Sequence, residues 1–331
     1  MSFVRASFRA RNVFAGARRY NSTTPPAPQK SSNWPLLLAG AGVAGLGAYV
    51  YLDRSGKAEV KAKKQQEKSP LDPNNFVDFK LKKVVPYNHN TATYIFELPE
   101  GEASLLPIAS CVVVKSASDS PAPLVGKNEK PIIRPYTPTS SSDFEGELHL
   151  IIKRYEEGKM SQHIHGLKPG DKLSIKGPIV KTPYKANEFE EIGMIAGGSG
   201  ITPMYQVLQH ALADPSNKTK FTLLFANVTP KDILLKEEFD SLKAKHPDTF
   251  NVIYTVDKPD EGWKGTVGYI NKALVQQHIP PASLAEKVKI YICGPPGQVS
   301  ALAGKKDGMK QGALDGLLKE LGYTEEQVFK F

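Results

Sequence analysis

The sequence predicts two folded domains behind a membrane helix: an antiparallel Greek-key β-barrel over residues 76–183, then an α/β doubly wound parallel sheet over 184–331. Ahead of them it predicts a leader over 1–24, a transmembrane helix over 34–52 and a charged linker over 53–75. Three observations carry this. Short apolar runs punctuated by Pro and Gly fill the first domain. Strand-like and helix-like runs alternate through the second. Nineteen uncharged residues stand in a row from Trp34 to Leu52.

The 331 residues carry a net charge of +9, and all of it belongs to residues 1–68, with 12 Lys+Arg against 3 Asp+Glu. The remainder balances 31 of each sign, which removes the electrostatic case for a nucleic-acid partner. No acidic residue precedes Asp53, and Arg5, Arg9, Arg11, Arg18 and Arg19 lie among Phe3, Val4, Phe8, Val13 and Phe14. That is the composition of a mitochondrial presequence. Three prolines between Thr23 and Pro28 end any helix there. The segment Trp34–Leu52 would rise about 28 Å as a helix, close to a bilayer's hydrocarbon thickness. Trp34, Tyr49 and Tyr51 lie near its ends, where amphipathic rings settle. Asp53 to Lys68 reads as a solvated spacer whose composition is compatible with a helix.

In the barrel the expected strands are 79–85, 91–97, 111–115, 147–155 and 172–176, with a surface excursion over 116–130. Leu148, Leu150 and Ile152 alternate with His149, Ile151 and Lys153, so Lys153 belongs to the face turned from the core. The extended stretch Arg134-Pro135-Tyr136-Thr137-Pro138-Thr139-Ser140 places a guanidinium, a ring and hydroxyls together on a backbone stiffened by proline. Arginine forks two N–H groups onto a phosphate, and a tyrosine face suits a flat heterocycle. Gly158-Lys159-Met160-Ser161 precedes a short helix expected over 163–167, whose start would receive an anion.

In the second domain strands are expected over 192–196, 221–226, 252–256 and 288–293, and helices over 202–212, 231–245 and 271–278, with a helical C-terminal region. Gly197, Gly198, Gly200, Thr202 and Pro203 form a glycine turn at the end of the first of these strands. Such a turn lets a dinucleotide approach the backbone. Cys293-Gly294-Pro295-Pro296-Gly297 ends the last strand, on the same edge of such a sheet. Cys111 and Cys293 are the only cysteines, and with seven scattered histidines they show no metal-ligand spacing, so no metal is expected.

As a set, in this order, these motifs resemble the ferredoxin-reductase-like flavoproteins, and within them the NADH-cytochrome b5 reductases of the fungal mitochondrial outer membrane. The resemblance covers residues 76–331, the leader and the membrane span, and includes the C-terminal Phe331. It implies FAD on the barrel, NADH on the second domain, and a cytochrome b5-like haem protein as acceptor. Arg134 would bind the FAD pyrophosphate, Tyr136 would lie along the flavin, and Thr137 would approach flavin N5, with Pro135 and Ser140 completing that segment. Ile151 would line the flavin site and Lys153 would help to hold NADH. Thr137 and Lys153 would also stabilise charge on the reduced ring. Gly158, Lys159, Met160 and Ser161 would contact the FAD phosphates, and Thr202 would touch the flavin. Gly197, Gly198, Gly200 and Pro203 would receive NADH, with Cys293, Gly294 and Pro295 beside the nicotinamide. Asp257 would disfavour the extra phosphate of NADPH. Gly297 departs from a proline frequent in the family. The expected location is the mitochondrial outer membrane, single-pass, with a processed intermembrane-space form also open. A quinone or dye reductase and a non-catalytic membrane-tethered nucleotide-binding protein are the alternatives.

Overall fold

The structure, a computed structural model, describes residues 69–331 and, before them, only the backbone of two strands. These are β1 (Ala48–Leu52) and β2 (Ala58–Ala62), paired antiparallel with Val50 opposite Val60. The leader and residues 34–47 of the expected membrane helix lie outside the described residues. The last five residues of that expected helix are a strand instead, as is part of the spacer. Ala-Tyr-Val-Tyr-Leu is rich in the β-branched and aromatic residues that favour a pleated backbone. Among the described residues, no helix is long and apolar enough to cross a membrane.

Gln65–Phe331 forms one compact unit built on two six-stranded sheets. The first contains β3 (Val77–Pro86), β4 (Thr91–Glu97), β5 (Ser110–Ser116), β6 (Arg134–Tyr136), β7 (Glu147–Lys153), α1 (Lys159–His165) and β8 (Lys172–Val180). Its order is β6-β5-β8-β3-β4-β7, antiparallel at every pairing. The edges meet where the Thr139 N–H donates to the His149 carbonyl at 2.9 Å, which closes the barrel. Leu148, Leu150 and Ile152 enter its core with Leu81, Phe96 and Ile175, as the alternation of β7 requires. Helix α1 begins at Lys159, four residues before the sequence-based start, because the chain turns at Gly158.

The second sheet follows with β9 (Glu191–Gly197), α2 (Ile201–Ala213), β10 (Lys220–Asn227), α3 (Lys236–Lys245), β11 (Phe250–Val256), β12 (Thr266–Val267), α4 (Lys272–His278), β13 (Val288–Cys293), α5 (Pro296–Ala303), α6 (Gly316–Glu320) and β14 (Val328–Lys330). Its order is β12-β11-β10-β9-β13-β14, all parallel. The chain runs outward from β9 to one edge and then returns to β13 on the other side. The strand order therefore reverses between β9 and β13, and in open parallel sheets ligands bind at such a point.

Helix α3 starts five residues later than Lys231. Pro230–Asp232 is a 3-10 turn capped reciprocally by Thr229 and Asp232, and Leu235 is left-handed at φ 57°. The C-terminal residues are anchored from two sides. The buried Lys330 ammonium donates to the Ala303 and Ala313 carbonyls at 3.1 and 3.0 Å. Phe331 N–H donates to the Ile292 carbonyl at 2.9 Å, next to Cys293. Gly297 lies inside the first turn of α5 and is not in a loose loop, and a Cβ there would meet nothing within 4 Å. Replacing Gly297 with Ala should raise stability by about 0.5–1 kcal/mol; a lower thermal midpoint would contradict this placement.

Candidate functional site at the domain junction

The Arg134–Ser140 segment lies on β6, an edge strand of the barrel sheet, and the turn beyond it. Arg134 is exposed, and one of its five N–H donors reaches the Ile133 carbonyl at 2.9 Å. Pro135 pairs opposite Val113, and Tyr136 opposite Val112 in the barrel core. Burial pushes the Tyr136 hydroxyl up to about 12, against a downward pull from Arg134, with Tyr155 beside it adding to the rise. Thr137 is half-buried. Ser140 is engaged within the barrel. Its hydroxyl accepts from the His149 N–H at 3.1 Å and so belongs to barrel closure. It also lines a cavity of about 430 Å³ between the domains, with Ile108, Pro138, Gln206 and His210.

Gly158 is the N-cap of α1 and has no room for a side chain: a Cβ would sit 2.5 Å from Ser161 Oγ and 2.9 Å from Tyr155 Cβ. Ser161 is also engaged locally. Its hydroxyl donates to the Gly158 carbonyl at 2.8 Å and accepts from the Tyr155 N–H at 3.1 Å, which ties the turn to the end of β7. Met160 is buried in the barrel core. What the turn offers a ligand is therefore backbone, together with the exposed Lys159; no side chain caps the helix start.

At the switch point two strand ends press together. A Cβ on Gly200 would lie 2.4 Å from the Cys293 carbonyl oxygen, and one on Gly294 would lie 3.2 Å from the Gly197 nitrogen. One on Gly197 would strike Gln298 and Pro295. Gly198 turns at φ +52°, open to its surroundings. Helix α2 starts directly after this turn with no side-chain cap, and Thr202 and Pro203 are buried in its first turn. Pro295 is the N-cap residue of α5. Burial pushes the half-buried Cys293 thiol up to about 12, against the pull of Lys306, with Cys111 and Lys181 also within reach. At neutral pH it is an uncharged thiol, suited to contact and not to nucleophilic attack. Asp257 follows β11, its N–H donating to the Asn227 carbonyl at 3.0 Å, and burial raises its carboxyl above the usual range.

Several contacts carry the barrel onto this edge. Tyr155 hydroxyl and Ser199 Oγ are 2.7 Å apart, joining the neighbour of Tyr136 to the glycine turn behind which Cys293 lies. Ile151 leaves the barrel core and packs in the cluster of Ala196, Ile201 and Tyr291. The Lys153 ammonium is not free: it donates to Asp232 Oδ1 at 2.9 Å, with both side chains largely buried. Asp232, Thr229, Tyr155 and Ser199 join the candidate site through these contacts, although sequence reasoning singled out none of them. The capping pattern Thr229-x-x-Asp232 was visible in the chain, but not its partner 79 residues away.

Whether this edge fits a phosphate-bearing nucleotide can be tested on its polar atoms. The side-chain amide of Asn227, at the carboxyl end of β10, is buried with neither its nitrogen nor its oxygen paired, and Gln298 Nε2 on α5 is likewise unpaired. Buried amides normally find partners. With the side-chain-free glycine turn and the uncapped start of α2, they form a donor-rich edge that matches a dinucleotide.

Residues 78–184 match the oxidoreductase FAD-binding domain family and residues 194–303 the oxidoreductase NAD-binding domain family. NADH-cytochrome b5 reductase 2 of Mycosarcoma maydis is 49% identical, over 99% of this chain and 96% of that protein. The protein of the same name from Emericella nidulans is 42% identical, over 99% of this chain and 100% of its own length. Among solved structures, the cytochrome b5 reductase domain of Ulva prolifera nitrate reductase superposes with a TM-score of 0.68 at 28% identity, covering 80% of this chain and all of that one. The CS-b5R domains of human Ncb5or in the NAD+ form superpose at 0.59 with 26% identity, covering 77% and 69%. With barrel, parallel sheet and switch-point turn in place, the chain belongs to the NADH-cytochrome b5 reductase family of ferredoxin-reductase-like flavoproteins.

Proposed function

We infer that this chain oxidises NADH through FAD and passes the electrons singly to cytochrome b5 or a similar haem protein. The observation that carries the reading is the switch point itself. There the glycine turn and Cys293 share one sheet edge, and Ser199 on that turn meets the hydroxyl of Tyr155, which lies beside Tyr136. Bound FAD supplies the chemistry that a protein lacks, accepting two electrons as a hydride and releasing them one at a time.

The chain's own residues bind and orient. Arg134 brings a planar fork of donors to the FAD pyrophosphate. The backbone N–H groups of Lys159, Met160 and Ser161 supply the complementary anion site. Tyr136, kept a neutral phenol by burial, offers a ring face to the flavin, and Thr137 offers a hydroxyl to its edge. Gly197, Gly198, Gly200 and the start of α2 receive the NADH pyrophosphate, and Asn227 and Gln298 lie ready as amide partners. The neutral Cys293 thiol packs against the nicotinamide and limits its position. Asp257 stands where an added 2′-phosphate would meet a carboxylate, which favours NADH over NADPH.

The same reading places the chain in the mitochondrial outer membrane, held through the uncharged run that begins at Trp34 and addressed by the arginine-rich leader. The acidic-free N-terminus and the uncharged run support this. Import of a tagged full chain into isolated mitochondria, followed by carbonate extraction, tests it. Recovery in the soluble fraction of unprocessed protein is the adverse result.

Arg134→Ala should cost most of the flavin occupancy of the purified protein, read from its visible spectrum, and a fully yellow, active variant contradicts the role. Iodoacetamide should modify native Cys293 at least about tenfold more slowly than an unhindered thiol at neutral pH, with a rate that goes on climbing through about pH 9 and shows no plateau. A rate that levels off near about pH 9, as that of an ordinary thiol does, would show Cys293 to be exposed and titrating normally. Steady-state turnover with cytochrome b5, ferricyanide and a quinone decides the acceptor. Preference for the haem protein supports the assignment, and preference for the quinone replaces it.

A further inference from the structure

Asp232 lies on the connection from β10 to α3, outside every motif that the sequence reading singled out. Its Oδ1 accepts from the Lys153 ammonium at 2.9 Å. Its Oδ2 accepts from the Thr229 N–H at 3.1 Å and the Thr229 hydroxyl at 2.7 Å. The carboxylate is 7% exposed and the lysine side chain 13%. Burial works to raise the Asp232 pKa, but the Thr229 and Lys153 bonds outweigh it and hold the carboxyl below its usual range. His89 Nε2 stands 3.9 Å from the same oxygen and is mostly exposed, so it is a minor partner.

The position of this carboxylate is fixed by backbone. The turn after β3 grips the same connection: Asn88 Nδ2 donates to the Lys231 carbonyl at 3.0 Å, and Leu235 N–H donates to the Tyr87 hydroxyl at 2.7 Å. Leu235 is held left-handed there. Lysine, by contrast, is a compact charge on a flexible stem with many rotamers. A nearly buried ammonium needs a partner, and the one it has comes from the other domain.

We propose that Asp232 is a positioning residue of the nucleotide site: reaching across the domain junction, it holds the Lys153 ammonium where that side chain grips the anionic NADH. This rests on the reading that Lys153 contacts NADH. Asp232 itself touches no nucleotide. It converts a mobile cation into a placed one.

The test is NAD+ affinity of the full-length, flavin-loaded protein, read by perturbation of the flavin absorbance during titration, with thermal midpoints alongside. Asp232→Asn should weaken NAD+ binding by about tenfold or more. Lys153→Met should weaken it similarly, and the double variant should be no weaker than Lys153→Met alone. Unchanged affinity in Asp232→Asn, or losses that multiply in the double variant, overturns the proposal, since a merely structural carboxylate would lower the midpoint and act independently of Lys153. If Lys153→Met alone binds NAD+ normally, the part assigned to Lys153 falls as well. Should Asp232→Asn fail to fold, Asp232→Glu reads the same quantity: a loss of affinity that disappears in the Lys153→Met background supports the proposal, and one that persists there overturns it.

Discussion

The packing of Gly200 against the Cys293 carbonyl sets the geometry on which everything else in the site depends, because no side chain of any size fits between the two strand ends. That contact exists only because β9 and β13 are neighbours in the sheet although β10, β11 and β12 intervene in the chain. It brings the starts of α2 and α5 to one place, with their uncapped N–H groups on the same edge. A helix start without a side-chain cap leaves donors unsatisfied, and a phosphate group satisfies them. The buried amides of Asn227 and Gln298 add to the same deficit. The edge is thus short of acceptors, which a dinucleotide supplies.

Strand β7 divides its labour by period two. Leu148, Leu150 and Ile152 fill the barrel, while Ile151 and Lys153 turn to the second domain, followed just past the strand end by Tyr155. One apolar contact, one ion pair and one hydroxyl pair therefore cross the junction from a single strand and its extension. The ion pair is the most consequential of the three. A buried pair of this kind gives little net stability over an apolar replacement, but losing one partner strands a charge. Such an arrangement fixes geometry more than it adds stability, which suits a site where two planar groups must meet in register.

Much of this was legible in the chain. Strands β4 and β13 have the bounds that their apolar runs imply, and the alternation in β7 correctly sent Lys153 away from the core. The glycine turn and the cysteine turn were readable because glycine and proline mark backbone demands directly. Less legible were the three-residue strands β6 and β14, too short to show a period. The start of α3 was misplaced because the helical pattern runs on through Pro230–Leu235, whereas the left-handed Leu235 interrupts it. The hydroxyls of Ser140 and Ser161 bond to local backbone groups, contacts that spacing alone does not reveal. Asp232 was hidden for the opposite reason: its local role as a cap was visible, and its distant partner was not. Toward the N-terminus, the aromatic and β-branched residues of Ala48–Leu52 pair as a strand where hydropathy alone implied helix.

The central claim is that the barrel and the parallel sheet hold a flavin and a nicotinamide in contact. Anaerobic titration of the purified full chain with NADH, followed in the visible flavin band, tests it most directly. Stoichiometric bleaching is expected, one NADH per flavin, with NADPH far less effective. A protein that carries no flavin, or one whose flavin band is unmoved by NADH, would contradict it.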